Sequence, residues 1–421
     1  MKKKINYAIS FYTFIGYYIG LTMIVFFGFI EFSRYYSIPS KIVFAILMIY
    51  VLVKSKFRYI RKNKIHFVLF WIFWALYFSA IIKAMFNTST LYHITPLEYM
   101  AYSVVYSIIP FLFFSLHQQE DISLNTFKNA IISSGFFFAI VVYLLYGQLL
   151  LIGVSRISMA KYMNIGFTEV MSPLALSYAS VLVISICTYY LLYTVLPLKI
   201  KMYYYGTIVL SLVPFLLGAS RGSVIALVLT FIITTLIKSS AKKKIISLIF
   251  LIVFFITVMN VADEFQSGVF KRVLNTTETV SGGYDSESRN FMWESAWNQF
   301  LASPIWGDSI QSRIPPYPHN IVLDVLMSTG LLGFFPFIIL LINVVLKSIK
   351  IVKYRPEHGW VFIVFMQGVV QYMFSGSVYA ALYFWAGMGL VLSVKIEQKY
   401  KYSRKSSFTR GTLYFKGAKL R

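Results

Sequence analysis

The sequence predicts an all-α fold, a polytopic transmembrane helical bundle of about twelve spans. Three observations carry this: of 421 residues, 58% are hydrophobic and only 13% charged; the mean hydropathy is +0.70; and apolar runs near the roughly 20 residues that cross a bilayer recur along the whole chain. An ordinary soluble domain carries about 25% charged residues.

Taken in order, the first run follows Met1-Lys2-Lys3-Lys4 and extends over 7–30, too long for a signal-peptide core, so it reads as a first span. Further runs lie at 39–53, 65–86, 96–116, 127–152 and 169–196. Two short ones, 202–217 and 222–237, flank the turn Gly218-Ala219-Ser220-Arg221-Gly222-Ser223. Then come 245–261, 321–346, 359–375 and 377–394. The single cysteine, Cys187, sits inside an apolar run, which excludes an intrachain disulfide or a cysteine metal cluster.

The net charge of +24 would suggest nucleic acid in a soluble chain. With a cytoplasmic amino terminus, however, roughly three-quarters of the 39 Lys and Arg residues fall on the cytoplasmic side, as the positive-inside rule requires. The charge is topological, and no nucleic-acid partner is implied. Both termini are expected inside. The one long loop, 262–320, is expected on the outer face, too poor in apolar area to form its own core and therefore packed back on the bundle. No internal repeat or linker divides residues 1–421, which read as a single integral membrane domain with a basic cytoplasmic tail at 395–421.

The loop concentrates what chemistry the chain offers. Within Phe291 to Leu301 the apolar residues Trp293, Trp297, Phe300 and Leu301 recur at helical spacing, Ser303-Pro304 ends the helix, and Trp306-Gly307-Asp308 reads as a turn. His319-Asn320 then stands at the mouth of the span that opens at Ile321. A histidine there either takes a proton from, or hydrogen-bonds, an attacking hydroxyl, or it is an ordinary interfacial side chain. Arg221 presents a similar choice: sixteen helical residues rise about 24 Å against a hydrocarbon core of about 30 Å, so its turn lies below the outer surface. There the guanidinium either grips a phosphate or snorkels to the interface. Arg289, Arg272 and Arg313 are the other loop cations. No carboxylate, cysteine or second histidine sits at metal-ligand spacing.

Ser220-Arg221-Gly222, then Ser288-Arg289 with Trp293, Ser303-Pro304 and Gly307, then His319-Asn320 with Leu323 and Gly330-Leu331-Leu332-Gly333 resemble the conserved region of the O-antigen polymerase and O-antigen ligase superfamily. By these motifs the resemblance covers about 204–345. It implies a metal-independent bacterial inner-membrane glycosyltransferase without cofactor, similar to the GT-C class that uses lipid carriers. The donor would be an oligosaccharide on undecaprenyl pyrophosphate, the active site periplasmic in loop 262–320, and the setting membrane lipid, with a polysaccharide chain-length regulator as a further partner. His319, Arg221 and Arg289 would be catalytic, and Arg272, Arg313, Asn320 and Ser220 would bind substrate. Ligases of this superfamily typically carry an acid directly after the His-Asn pair; Ile321 stands there, with Asp324 a turn further on. The expectation is therefore a repeat-unit polymerase, with the ligase as alternative. A lipid-linked oligosaccharide flippase is the non-enzymatic rival, against which the few mid-span charges and the long outer loop weigh.

Overall fold

A computed structural model describes residues 2–54, 64–86, 94–116, 121–151, 172–218, 220–238, 286–312 and 317–396, with isolated positions between 245 and 256. All regular structure among the described residues is helical. Helix α1 (Lys2–Phe11) continues through a π-helical segment, Tyr12–Gly16, into α2 (Tyr17–Phe26). Next come α3 (Ser33–Lys54), α4 (Lys64–Phe86) and α5 (Pro96–Tyr102). A second π-helical segment, Ser103–Ile108, joins α5 to α6 (Ile109–Leu116). They are followed by α7 (Asp121–Tyr146), the single turn α8 (Gln148–Leu151), α9 (Pro173–Tyr193), α10 (Leu198–Gly218) and α11 (Arg221–Lys238). The chain closes with α12 (Ser286–Ala302), α13 (Ile321–Tyr354), α14 (Gly359–Phe374) and α15 (Leu382–Ser393).

Nine helices among the described residues are long and apolar enough to cross a membrane. Their outward faces carry large apolar side chains, for example Ile42, Ile46, Ile49 and Val53 along α3, which is stable only against lipid. The protein is a multi-pass membrane protein. The expected span 245–261 falls almost entirely outside the described residues. Two other expected spans are shorter than foreseen: α14 has 16 residues and α15 only 12. Both lie inside the bundle, with Trp360, Phe365, Phe384 and Trp385 at 0–1% exposure. Because protein surrounds them, the apolar runs 359–375 and 377–394 reflect burial in a core as much as contact with lipid. The link between them leaves helical geometry deep in the protein, and side chains satisfy its backbone: Ser107 Oγ donates to the Tyr379 carbonyl (2.9 Å), Trp385 Nε1 to the Val378 carbonyl (3.0 Å), and the Val378 N–H to Asp324 Oδ2 (2.7 Å).

Helix α10 also departs from expectation. It starts at Leu198 and has 21 residues, so it rises about 31 Å and is long enough to cross. Lys199 and Lys201, which mark the end of the run by composition, are simply its first turn. Of the two helices flanking the Arg221 turn, only α11, with 18 residues, is short.

Helix α13 is broken at Gly330, whose φ of 58° and ψ of −160° lie in a region open essentially to glycine alone. The turn after α12 fills the break. Leu331 and Leu332 donate their N–H groups to the carbonyls of Pro304 (2.8 Å) and Ile305 (3.2 Å), and Asp308 N–H donates to the Met327 carbonyl (2.9 Å). Contact is so close that a Cβ on Gly330 would stand 2.4 Å from the Ile305 oxygen, and one on Gly307 2.4 Å from the Ser328 oxygen. Lys83 Nζ, from the end of α4, reaches the Gly307 carbonyl at 3.4 Å. Loop and span are therefore one clasped unit.

Candidate functional site

The clasp packs α12 against α13. Its buried stripe is Met292, Ala296, Gln299 and Phe300, whereas Phe291, Trp297 and Leu301 point outward. Of the apolar stripe expected from the sequence only Phe300 is buried, because Trp297 and Leu301 belong to a face that also presents Ile305 and Trp306 outward, the pattern of an interfacial aromatic belt. Trp293 turns inward and donates its Nε1 to the Pro318 carbonyl at 2.9 Å. Gln299 Nε2 donates to the Gln311 carbonyl (2.9 Å), and Gln311 Nε2 in turn reaches the Tyr99 hydroxyl (2.8 Å). These bonds tie both ends of the described stretch before His319 to the bundle.

His319 itself has φ 52°, the only non-glycine residue in that region among the described residues. For a residue with a Cβ this costs on the order of 1 kcal/mol and marks a side chain held where function or packing requires it. The Tyr317 ring stands edge-on to the imidazole, with centroids 4.5 Å apart. Asn320 caps α13: its Oδ1 accepts from the N–H groups of Val322 (3.0 Å) and Leu323 (3.2 Å). Its carboxamide oxygen is thereby engaged, and only the Nδ2 donors remain for another role.

Arg289, one helical turn before Trp293, is half-buried, and its Nε has no hydrogen-bond partner among the described residues. Burial first, and the like charge of Arg221 second, push its pKa below the usual arginine range. Burial first, and the charge of Arg289 second, push the His319 imidazole from 6.5 down to about 4. Arg289 thus stands within electrostatic reach of both Arg221 and His319, the three residues coming from separate elements. His319 is neutral at physiological pH.

On the α11 side, the turn carrying Arg221 packs against the start of α9. Tyr178 of α9 hydrogen-bonds Ser220, and its hydroxyl lies so near Gly222 that a Cβ there would be 2.1 Å away. Arg289 lies within electrostatic reach of the same tyrosine. Ser220 is 4% exposed, a buried strut of the turn. The first N–H groups of α11 lack intrahelical partners, and its dipole places a positive end beside Arg221. Two guanidinium groups and a helix amino terminus thus make this region electropositive, with the imidazole of His319 beside Arg289.

Arg272 and Arg313 lie outside the described residues, as does 257–285 of the long loop. The tail is described only to Ile396. Among the described residues no three His, Cys, Asp or Glu side chains converge on a point. Tyr178 enters here without a signal in the sequence, and Asp324, noted there only for its distance from the His-Asn pair, has a structural place. Tyr178 is one tyrosine among several in its apolar run. Asp324 is fully buried, with Oδ2 accepting from Ser377 Oγ (2.5 Å) and Val378 N–H, and so fixes the first turn of α13 to the α14–α15 link.

Fold and composition together define a multi-pass membrane protein, in which Arg221, Arg289 and His319 lie near one another. Residues 206–338 match the family model described as O-Antigen ligase. This third of the chain holds Arg221, Arg289, His319 and the Gly330 break, and it is similar to the corresponding region of the O-antigen polymerase and ligase superfamily. No curated protein matches the chain.

Proposed function

We propose that the protein is a surface-polysaccharide repeat-unit polymerase of the periplasmic face of a bacterial inner membrane. It would transfer the glycan chain from one undecaprenyl pyrophosphate onto a second, carrier-linked repeat unit. The observation that carries this reading is the gathering of Arg221 and Arg289, with Arg289 Nε unpartnered among the described residues, beside a neutral His319. Two cations that raise each other's energy in a partly buried site are stabilised together by a multivalent anion, and a pyrophosphate leaving group is one.

In the reaction, the acceptor hydroxyl oxygen attacks the anomeric carbon of the donor glycan. The bond from that carbon to the pyrophosphate oxygen breaks, and the departing negative charge falls on the two arginines. The hydroxyl proton passes to His319 or to water. An imidazole with a pKa of about 4 is a weak base. A bound pyrophosphate reverses the sign of the field that lowers it, so donor binding itself raises the His319 pKa toward the useful range.

A ligase, which would pass the chain to the lipid A core, uses the same parts, and the matched family description supports it as the second reading. The surface-glycan profile of a strain lacking the protein separates them. Loss of a polymerase leaves core bearing one repeat unit. Bare core with carrier-linked polymer accumulating would instead establish the ligase, and repeat units trapped on the cytoplasmic face would establish a flippase and end the glycosyltransferase reading.

A further inference from the structure

A cavity of about 320 Å³ lies away from the arginines, between the amino-terminal helices and the centre of the bundle. Its walls come from both π-helical segments, with Tyr12 and Thr13 from one and Val105 and Tyr106 from the other, and from α2, α3 and the start of α9. π-Helical turns widen a helix locally and are found most often at functional sites. Two facing one cavity is hard to ascribe to packing alone. The volume falls at the lower end of the roughly 300–1,000 Å³ of small-molecule sites.

Its chemistry is amphipathic. Lys41 is the only charged residue on its wall among the described residues, and its Nζ stands 4.9 Å from the Tyr17 ring centre and 5.1 Å from that of Tyr106. The tyrosines are themselves anchored: Tyr17 donates to Ser37 Oγ at 2.8 Å, and Tyr12 hydrogen-bonds Ser40 and stacks on Phe44 with centroids 3.8 Å apart. Thr13, on the wall and 7% exposed, has an Oγ1 with no hydrogen-bond partner among the described residues. The rest of the lining is aliphatic or aromatic. Lys41 lies about two turns from the start of α3, and Ser172, the N-cap of α9, lies on the same wall. The next residue, Pro173, presents its carbonyl to Gly218 at the end of α10, three residues before Arg221. The cavity therefore opens from the same half of the bundle as the arginines.

We propose that this cavity binds the second lipid carrier, with Lys41 on its pyrophosphate and the first isoprene units between Tyr12, Phe44 and Met48. The inference rests on the polymerase reading. That reaction needs two carriers at once, and the acceptor keeps its pyrophosphate throughout. Two pyrophosphates repel and cannot share the Arg221–Arg289 pair, so the acceptor requires a separate cation. A lysine, a point charge without the bidentate fork, suits a group that is held but not cleaved.

The test is native mass spectrometry of the full-length protein with undecaprenyl pyrophosphate bearing no sugar, followed by acceptor kinetics. Wild type should hold two carriers. Lys41→Gln and Ala45→Phe, which fills the cavity and keeps the lysine, should each hold one, as should Arg289→Gln. Lys41→Gln should raise the KM for lipid-linked acceptor about tenfold with kcat little changed, and Lys41→Arg should restore most of it. Two carriers persisting in both Lys41→Gln and Ala45→Phe would overturn the proposal. So would displacement of the second carrier by equimolar phosphatidylglycerol, which would mark a general anionic-lipid site. A single carrier in wild type, lost on arginine substitution, would leave the polymerase reading standing and remove this one. No carrier in wild type would remove both.

Discussion

At the Gly330 break the backbone groups displaced from α13 are taken up by the turn after α12, so that Leu331, Leu332 and Met327 all bond across to Pro304, Ile305 and Asp308. A short distance away, the Arg221, Arg289 and His319 cluster is arranged on the opposite principle. There burial and like charge raise the energy of the groups, an arginine Nε lacks a partner among the described residues, and a histidine holds a left-handed backbone. The first region spends its hydrogen bonds on rigidity, whereas the second keeps its polar capacity for a ligand. Substitutions should therefore act on stability in one and on activity in the other.

The sharpest way to break this contrast is Gly330→Ala. The added Cβ would meet the Ile305 oxygen at 2.4 Å in a backbone region closed to alanine. We expect a loss of about 3 kcal/mol, seen as a large fall in thermal midpoint and in the yield of detergent-solubilised protein. A normal midpoint would show that the clasp yields easily and that the two regions do not differ. Second in size is Arg289→Gln. Activity should fall about 10²- to 10³-fold, while the midpoint stays level or rises, because a buried charge facing Arg221 has been removed. An unchanged rate with a lowered midpoint would move Arg289 to the scaffold side.

The smallest effect concerns protons. With a folded-state pKa of about 4, His319 stays neutral while the same side chain in the unfolded chain protonates near 6.5. Between those values the unfolded chain binds the extra proton, so this histidine makes stability fall as pH drops from about 6.5 to 4, and it contributes no pH dependence above that window. Pyrophosphate should shift the pKa upward, as should Arg289→Gln, and NMR of labelled histidine reads both. A pKa that moved down on adding pyrophosphate would contradict the placement of the anion beside His319.

Much of this was legible in the sequence, for reasons that differ by element. The end of α12 at Ala302 and the start of α13 at Ile321 follow from local chemistry, a proline stop and an asparagine cap. The candidate site residues stand out because charge and histidine are scarce in an apolar chain. What composition misreads is burial. The stripe of α12 looks apolar at Trp297 and Leu301, yet those residues face outward and Gln299 faces in, because its amide has a partner in the Gln311 carbonyl. The runs that became α14 and α15 look like spans because a protein core and a lipid tail favour the same side chains. Tyr178 is hidden for a related reason: only the fold brings it against Ser220 and Gly222, more than forty residues along the chain.

The clasp has one more consequence, for anyone who would recombine such proteins. Because the turn at 303–308 completes a helix that begins only at Ile321, neither piece has a finished backbone without the other. Exchanging the loop alone between relatives would graft it onto a foreign gap. The natural unit of exchange runs from α12 through the first turns beyond Gly330, and chimeras cut at those boundaries should insert where loop-only chimeras do not.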